Sequence, residues 1–135
     1  MKITTKLLKN FQTEIENERG DKIISDLPKS HGGDNKGATS LEIVTMGLSS
    51  CISSVFLLVA SKMRLNIENI IVEIDSGKTK EGNAIAFSTA VVKVKSLETE
   101  KKLQNCLEST IQNCPVGIIF EKAGIPVEHK LIILN

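Results

Sequence analysis

From Ile3 to Glu16, apolar and polar side chains alternate well enough to predict a strand. The Glu18-Arg-Gly-Asp turn and a second strand from Lys22 to Ser25 complete a predicted hairpin. Pro28 to Gly37, "PKSHGGDNKG", is a run of turn formers and predicts a loop, and its Gly-Gly lacks the spacing of a phosphate loop. A long helix then opens on a capping box, Thr39-Ser-Leu-Glu42, and is expected to reach Met63. Along it Gly47, Ser50, Cys51 and Ser54 recur at helical spacing, giving one narrow face of small side chains that another backbone can approach. Leu48, Ile52, Val55, Phe56 and Val59 cover other faces, so the helix is expected to be wrapped on most sides. Strands are predicted over Ile67 to Asp75 and Ala84 to Val94, joined by the polar loop "SGKTKEGN". Thr99 to Gln112 is amphipathic, with Leu103, Cys106, Leu107 and Ile111 on one stripe. Pro115 opens a short helix that ends near Gly124, and Pro126 to Leu134 forms the last strand. Hairpin strands and helices held in separate blocks predict an α+β fold, organised as a single domain over residues 1–135.

Composition narrows the function classes. Seventeen Lys and Arg against 16 Asp and Glu give a net charge of +1, which provides no electrostatic footprint for nucleic acid. With four Phe and neither Tyr nor Trp, stacking platforms for single strands are not expected. Ile43 to Ser61 carries no charge, but its Thr45, Gly47 and five serines make a buried central helix the expectation rather than a membrane span. Three cysteines suit a disulfide scaffold poorly, and no basic-then-apolar leader stands at Met1, so a reducing cytoplasm is expected. Three Cys and two His without a Cys-x-x-Cys pair predict no zinc site, and nothing calls for another cofactor.

The candidate chemistry lies in the cysteines. Cys114 sits at a predicted N-cap with Pro115 at the first helical position. The unpaired N–H groups there can stabilise a thiolate, or Cys114 can be a buried, inert cap. Cys51 lies about 18 Å along an unbroken helix from Thr39. The helix dipole has faded at that depth, so activation of Cys51 requires a basic group from elsewhere, and packing is the alternative. Cys106 falls on an apolar stripe and is expected to pack, while His31 and His129 look isolated.

"ATSLEIVTMGLSSCISS" followed by "NCPVGIIFEKAGIPVE" resembles the OsmC/Ohr family, the osmotically inducible and organic hydroperoxide resistance proteins, over most of the chain. The resemblance implies an intertwined homodimer with antiparallel sheets, a long central Cys-bearing helix and sites at the interface. It also implies a cysteine-based peroxidase. Cys51 would attack the hydroperoxide and become a sulfenic acid, Cys114 would resolve it as a disulfide, and a dithiol would reduce that bond. Cys106 would stay free. The apolar helix favours organic hydroperoxides over hydrogen peroxide.

Two departures place the chain nearer the general OsmC-like branch. Where the peroxidase subgroups carry an arginine in the N-terminal strand, this chain has residues near Asn10 or Phe11; Arg19 belongs to the turn, leaving Lys6 and Lys9 as substitutes. The family's glutamate lies ten residues before the first cysteine, where Leu41 stands here; Glu42, nine before, is the weaker catalytic candidate and falls on the opposite side of a straight helix from Cys51. These departures leave two other readings open: a non-catalytic OsmC-like dimer binding a small apolar molecule, and a different thiol-based enzyme.

Overall fold

A computed structural model describes residues 1–135, arranged as two compact units, Met1–Val44 and Thr45–Asn135. The first unit holds a three-stranded antiparallel sheet of β1 (Ile3–Lys9), β2 (Gln12–Asn17) and β3 (Lys22–Ser25) in that order. The single strand expected from Ile3 to Glu16 is therefore two. Lys9 pairs with Gln12, and the chain reverses at Asn10, whose φ of 52° is the left-handed conformation that Asn tolerates better than most residues. Alternation continues on both sides of so short a turn, so periodicity alone does not reveal it.

The loop after β3 is organised by one carboxylate. Asp26 is buried, and its oxygens accept backbone N–H bonds from Leu27 (2.8 Å), Asp34 (3.2 Å) and Lys36 (3.0 Å). These bonds, the one from Lys36 foremost, hold its pKa below the usual carboxylate value. A 3-10 turn at Lys29–His31 lies within this loop. At its end the predicted capping box is present: the Thr39 N–H donates to Glu42 Oε2 at 2.7 Å, and the Glu42 N–H donates to Thr39 Oγ1 at 3.4 Å.

Helix α1 (Ser40–Lys62) runs from this cap into the second unit. There a three-stranded sheet is ordered β4 (Asn69–Lys78), β5 (Ile85–Lys95), β6 (Val127–Leu134). β4 and β5 form the expected hairpin, but β6 runs parallel to β5, with Ala90 opposite His129. The antiparallel expectation fails for this pair because α2 (Glu100–Asn113) and α3 (Pro115–Lys122) lie between the strands, and a connection of that length permits parallel return.

β5 is the central strand, and Ser88, Ala90, Val92 and Val94 on its inner face are buried in strict alternation. The core is completed by Leu48, Ile52, Phe56 and Ala60 of α1, Leu103, Cys106 and Leu107 of α2, and Phe120 of α3. Each of the large side chains among these contributes about 1.5–3 kcal/mol by leaving water.

The buried residues of α1 recur every four positions and therefore cover one face only. Val44, Met46, Leu57 and Leu58 stand 44–59% exposed on the same helix, so a single chain covers one face of it. By length and composition alone α1 could cross a membrane. Its inner face is instead tied into the unit: Ser49 Oγ donates to the Val72 carbonyl of β4 at 3.1 Å, and the Phe56 carbonyl meets Cys106 of α2 at 3.6 Å.

Candidate thiol site

Asn113 ends α2 and Pro115 begins α3, which leaves Cys114 as the single residue between two helices. Pro115 has no N–H to lose at the first helical position and sets φ for the turn that follows. It also favours extended backbone at Cys114, which has φ −78° and ψ 108°. Cys114 caps α3 as predicted, its Sγ accepting the Gly117 N–H at 3.4 Å. Glycine at 117 eases this approach, since a Cβ there would lie 3.3 Å from Cys114 Cβ and 3.4 Å from its Sγ, a snug contact.

The same sulfur faces α1. Cys114 Sγ donates to Cys51 Sγ at 3.0 Å, and both thiols are free. Residues 63 positions apart are thus brought to sulfur–sulfur contact. Cys51 is half-buried on the small-residue face of α1, while Cys114 is fully buried. One turn earlier on that face, Gly47 has open space where a side chain would stand.

The cap does not give Cys114 an easily formed thiolate. Burial pushes its thiol up to about 11, and the bond it donates to Cys51 pushes the same way, outweighing the N–H groups of Gly117 and Val116. The helix N-terminus acts in the direction expected from sequence but is the smaller effect. In this contact Cys114 is the donor and Cys51 the acceptor.

The other predicted candidates lie elsewhere. Glu42 is engaged with Thr39 at the start of α1, and nine residues of helix set it about 13 Å along the axis from Cys51. Arg19 is paired with Asp21 at 2.8 Å in the β2–β3 turn. Cys106 is buried, donates to the Phe56 carbonyl, and is pushed up to about 11 by burial.

One residue that looked isolated in sequence belongs to the neighbourhood of Cys114. His129 of β6 is half-buried and lines a cavity of about 630 Å³ together with Cys114, Gly117 and Glu121. Burial holds its pKa below the usual histidine value, against a hydrogen bond to the Val127 backbone that acts in the opposite sense. The available sequence signal was the period-two pattern of β6, which turns Val127, His129 and Leu131 to one face.

A sequence model described as OsmC-like protein matches residues 33–130. None of the curated proteins matches the sequence. Among solved structures, an OsmC-like protein from Mycoplasma pneumoniae superposes with a TM-score of 0.86 at 15% identity, covering 99% of this chain and 96% of the other. An organic hydroperoxide resistance protein OsmC from Legionella pneumophila gives 0.72 at 12% identity, covering 98% and 97% of the two chains. One from Elizabethkingia anophelis, with thiocyanate bound, gives 0.71 at 20% identity, covering 98% and 94%. At these identities the structural likeness establishes the fold.

Proposed function

Because the chain belongs to the OsmC-like protein family, we propose that it is a thiol-dependent peroxidase reducing organic hydroperoxides through Cys51 and Cys114. The observation that carries this reading is the 3.0 Å contact in which Cys114 donates to Cys51. It puts a protonated resolving thiol against a sulfur held as acceptor, the role a nucleophilic thiolate plays.

The chemistry runs in three balanced steps. Cys51 thiolate attacks the terminal peroxide oxygen, the O–O bond breaks with the hydroxyl transferred to sulfur, and the alkoxide takes a proton from solvent and leaves as alcohol. Cys51 is then a sulfenic acid. The sulfur of Cys114 displaces its hydroxyl, forming the Cys51–Cys114 disulfide and releasing water. A dithiol reduces that bond by two successive exchanges and leaves as its intramolecular disulfide. Immediate resolution protects Cys51 from irreversible oxidation, which is why a second sulfur already in contact matters. The apolar side chains of α1 suit an alkyl or aryl hydroperoxide better than hydrogen peroxide.

The working form in this reading is a homodimer in the cytoplasm. Val44, Met46, Leu57 and Leu58 support the dimer, since a second copy would cover apolar surface otherwise left in water. Sedimentation as a stable monomer at micromolar concentration would remove it. A reducing compartment suits three free thiols.

The deciding assay is consumption of cumene hydroperoxide and of hydrogen peroxide with a dithiol, comparing wild type with Cys51→Ser. Turnover that vanishes in the variant, with cumene hydroperoxide the better substrate, supports the proposal. Background rates in both proteins overturn it.

A further inference from the structure

The cavity of about 630 Å³ is lined in part by Cys114, itself 1% exposed, and by His129, whereas the half-buried Cys51 is not among its lining residues. That asymmetry matters for any step in which a disulfide is reopened. A thiolate attacks a disulfide sulfur along the S–S axis, from the side opposite the sulfur that leaves. We infer that this cavity admits the reducing thiol to Cys114 of the oxidised protein, with His129 as the base that takes its proton. The inference rests on the two-cysteine reading above and adds where the reductant enters, which sulfur it attacks and what activates it.

The cavity falls in the range of small-molecule sites, so a compact dithiol fits and a folded protein does not. Its titratable lining consists of Cys114 and Glu121 from the α3 segment and His129 from β6; the parallel neighbour of His129 on β5 is Ala90, and α2 contributes Ile111 and Gln112. His129 is held neutral at neutral pH by its burial, and a neutral imidazole keeps one ring nitrogen able to accept a proton. Glu121 is exposed and places a carboxylate on the same wall. An uncharged thiol is therefore favoured over an anionic one.

The exchange balances as follows. His129 takes the proton of the first thiol, and the thiolate bonds to Cys114 Sγ. The Cys114–Cys51 bond breaks, with Cys51 departing as thiolate, the form in which it attacks the next peroxide. The second thiol of the reductant then attacks the mixed disulfide at the reductant's own sulfur. Cys114 leaves and takes that thiol's proton, and His129 returns the first proton to solvent. The reductant is oxidised by two electrons, and the protein disulfide is reduced by two.

The test starts from disulfide-bonded protein made with diamide, so it does not depend on peroxide turnover. The probes are dithiothreitol, 2-mercaptoethanol and anionic 2-mercaptoethanesulfonate. With 2-mercaptoethanol and rapid alkylation, peptide mapping of the wild type should find the mixed disulfide on Cys114; finding it on Cys51 overturns the inference without any variant. His129→Gln should slow reduction by dithiothreitol at least tenfold at pH 7. The deficit should shrink toward none near pH 10, where the thiol ionises unaided. An equal deficit at every pH means a structural role for His129, and no deficit means no role; either overturns the assignment. Glu121→Gln should raise the rate with 2-mercaptoethanesulfonate relative to 2-mercaptoethanol, and an unchanged ratio overturns the charge argument. Failure of diamide to link Cys51 to Cys114 would instead sink the two-cysteine reading itself.

Discussion

Oxidation should make this protein markedly harder to unfold, and the size of the effect follows from where the two sulfurs lie in the chain. A bond between Cys51 and Cys114 closes a loop of 63 residues. Removing the freedom of such a loop from the unfolded chain amounts to about 14 cal/mol/K, or roughly 4 kcal/mol at 25 °C. Unfolding entropy scales at about 2.1 cal/mol/K per residue, so 135 residues give roughly 280 cal/mol/K. The quotient is a rise in Tm of about 15 °C. Disulfides often deliver less than their loop entropy, so a rise of about 5–15 °C is expected. The assay is thermal unfolding by circular dichroism before and after one equivalent of cumene hydroperoxide, with the bond mapped on non-reduced peptides. Cys106→Ala should keep the rise and Cys51→Ser should lose it. The reasoning is refuted by a rise that survives Cys51→Ser, by a dominant peptide containing Cys106, or by a mapped Cys51–Cys114 bond with unchanged Tm.

Three further outcomes are expected. Gly33→Ala should cost about 2–4 kcal/mol in urea unfolding, because its Cβ would collide with the Leu27 carbonyl and backbone must move to admit it; a loss below about 0.5 kcal/mol contradicts this. Asp26 has a folded pKa below its unfolded value, so its contribution to stability is present above about pH 4 and is lost as pH falls through the folded value. The acid limb of the urea midpoint against pH should therefore be shallower in Asp26→Asn, and an identical limb counts against the loop-organising role. Cys106 and Cys114 are raised to about 11, so the folded state holds their protons longer than the unfolded chain does, and stability should decline from about pH 9 to pH 11. Cys106→Ala should flatten that decline, and native Cys106 should resist iodoacetamide at pH 8 until the chain unfolds.

Much of this was legible in the residues because it depends on neighbours in the chain. The capping box at Thr39, the Cys114-Pro115 cap, the amphipathic stripe of α2 and the period-two strands are local devices, each set by side chains within four positions of one another. Cys51 and Cys114 were singled out by a resemblance, but nothing local could say that they touch: 63 residues separate them, and the 3.0 Å contact exists only once α1 and the α2–α3 corner are packed. The protonation of Cys114 was left open for the same reason. Local reasoning offered both a thiolate held by the helix N–H groups and a buried cap, and only the packed structure shows that burial outweighs those groups. The parallel pairing of β6 with β5, and through it the arrival of His129 beside the Cys114 cavity, was decided by tertiary structure alone. An alternating strand carries the same pattern whether its neighbour runs parallel or antiparallel, and a histidine looks isolated until the chain returns to meet it.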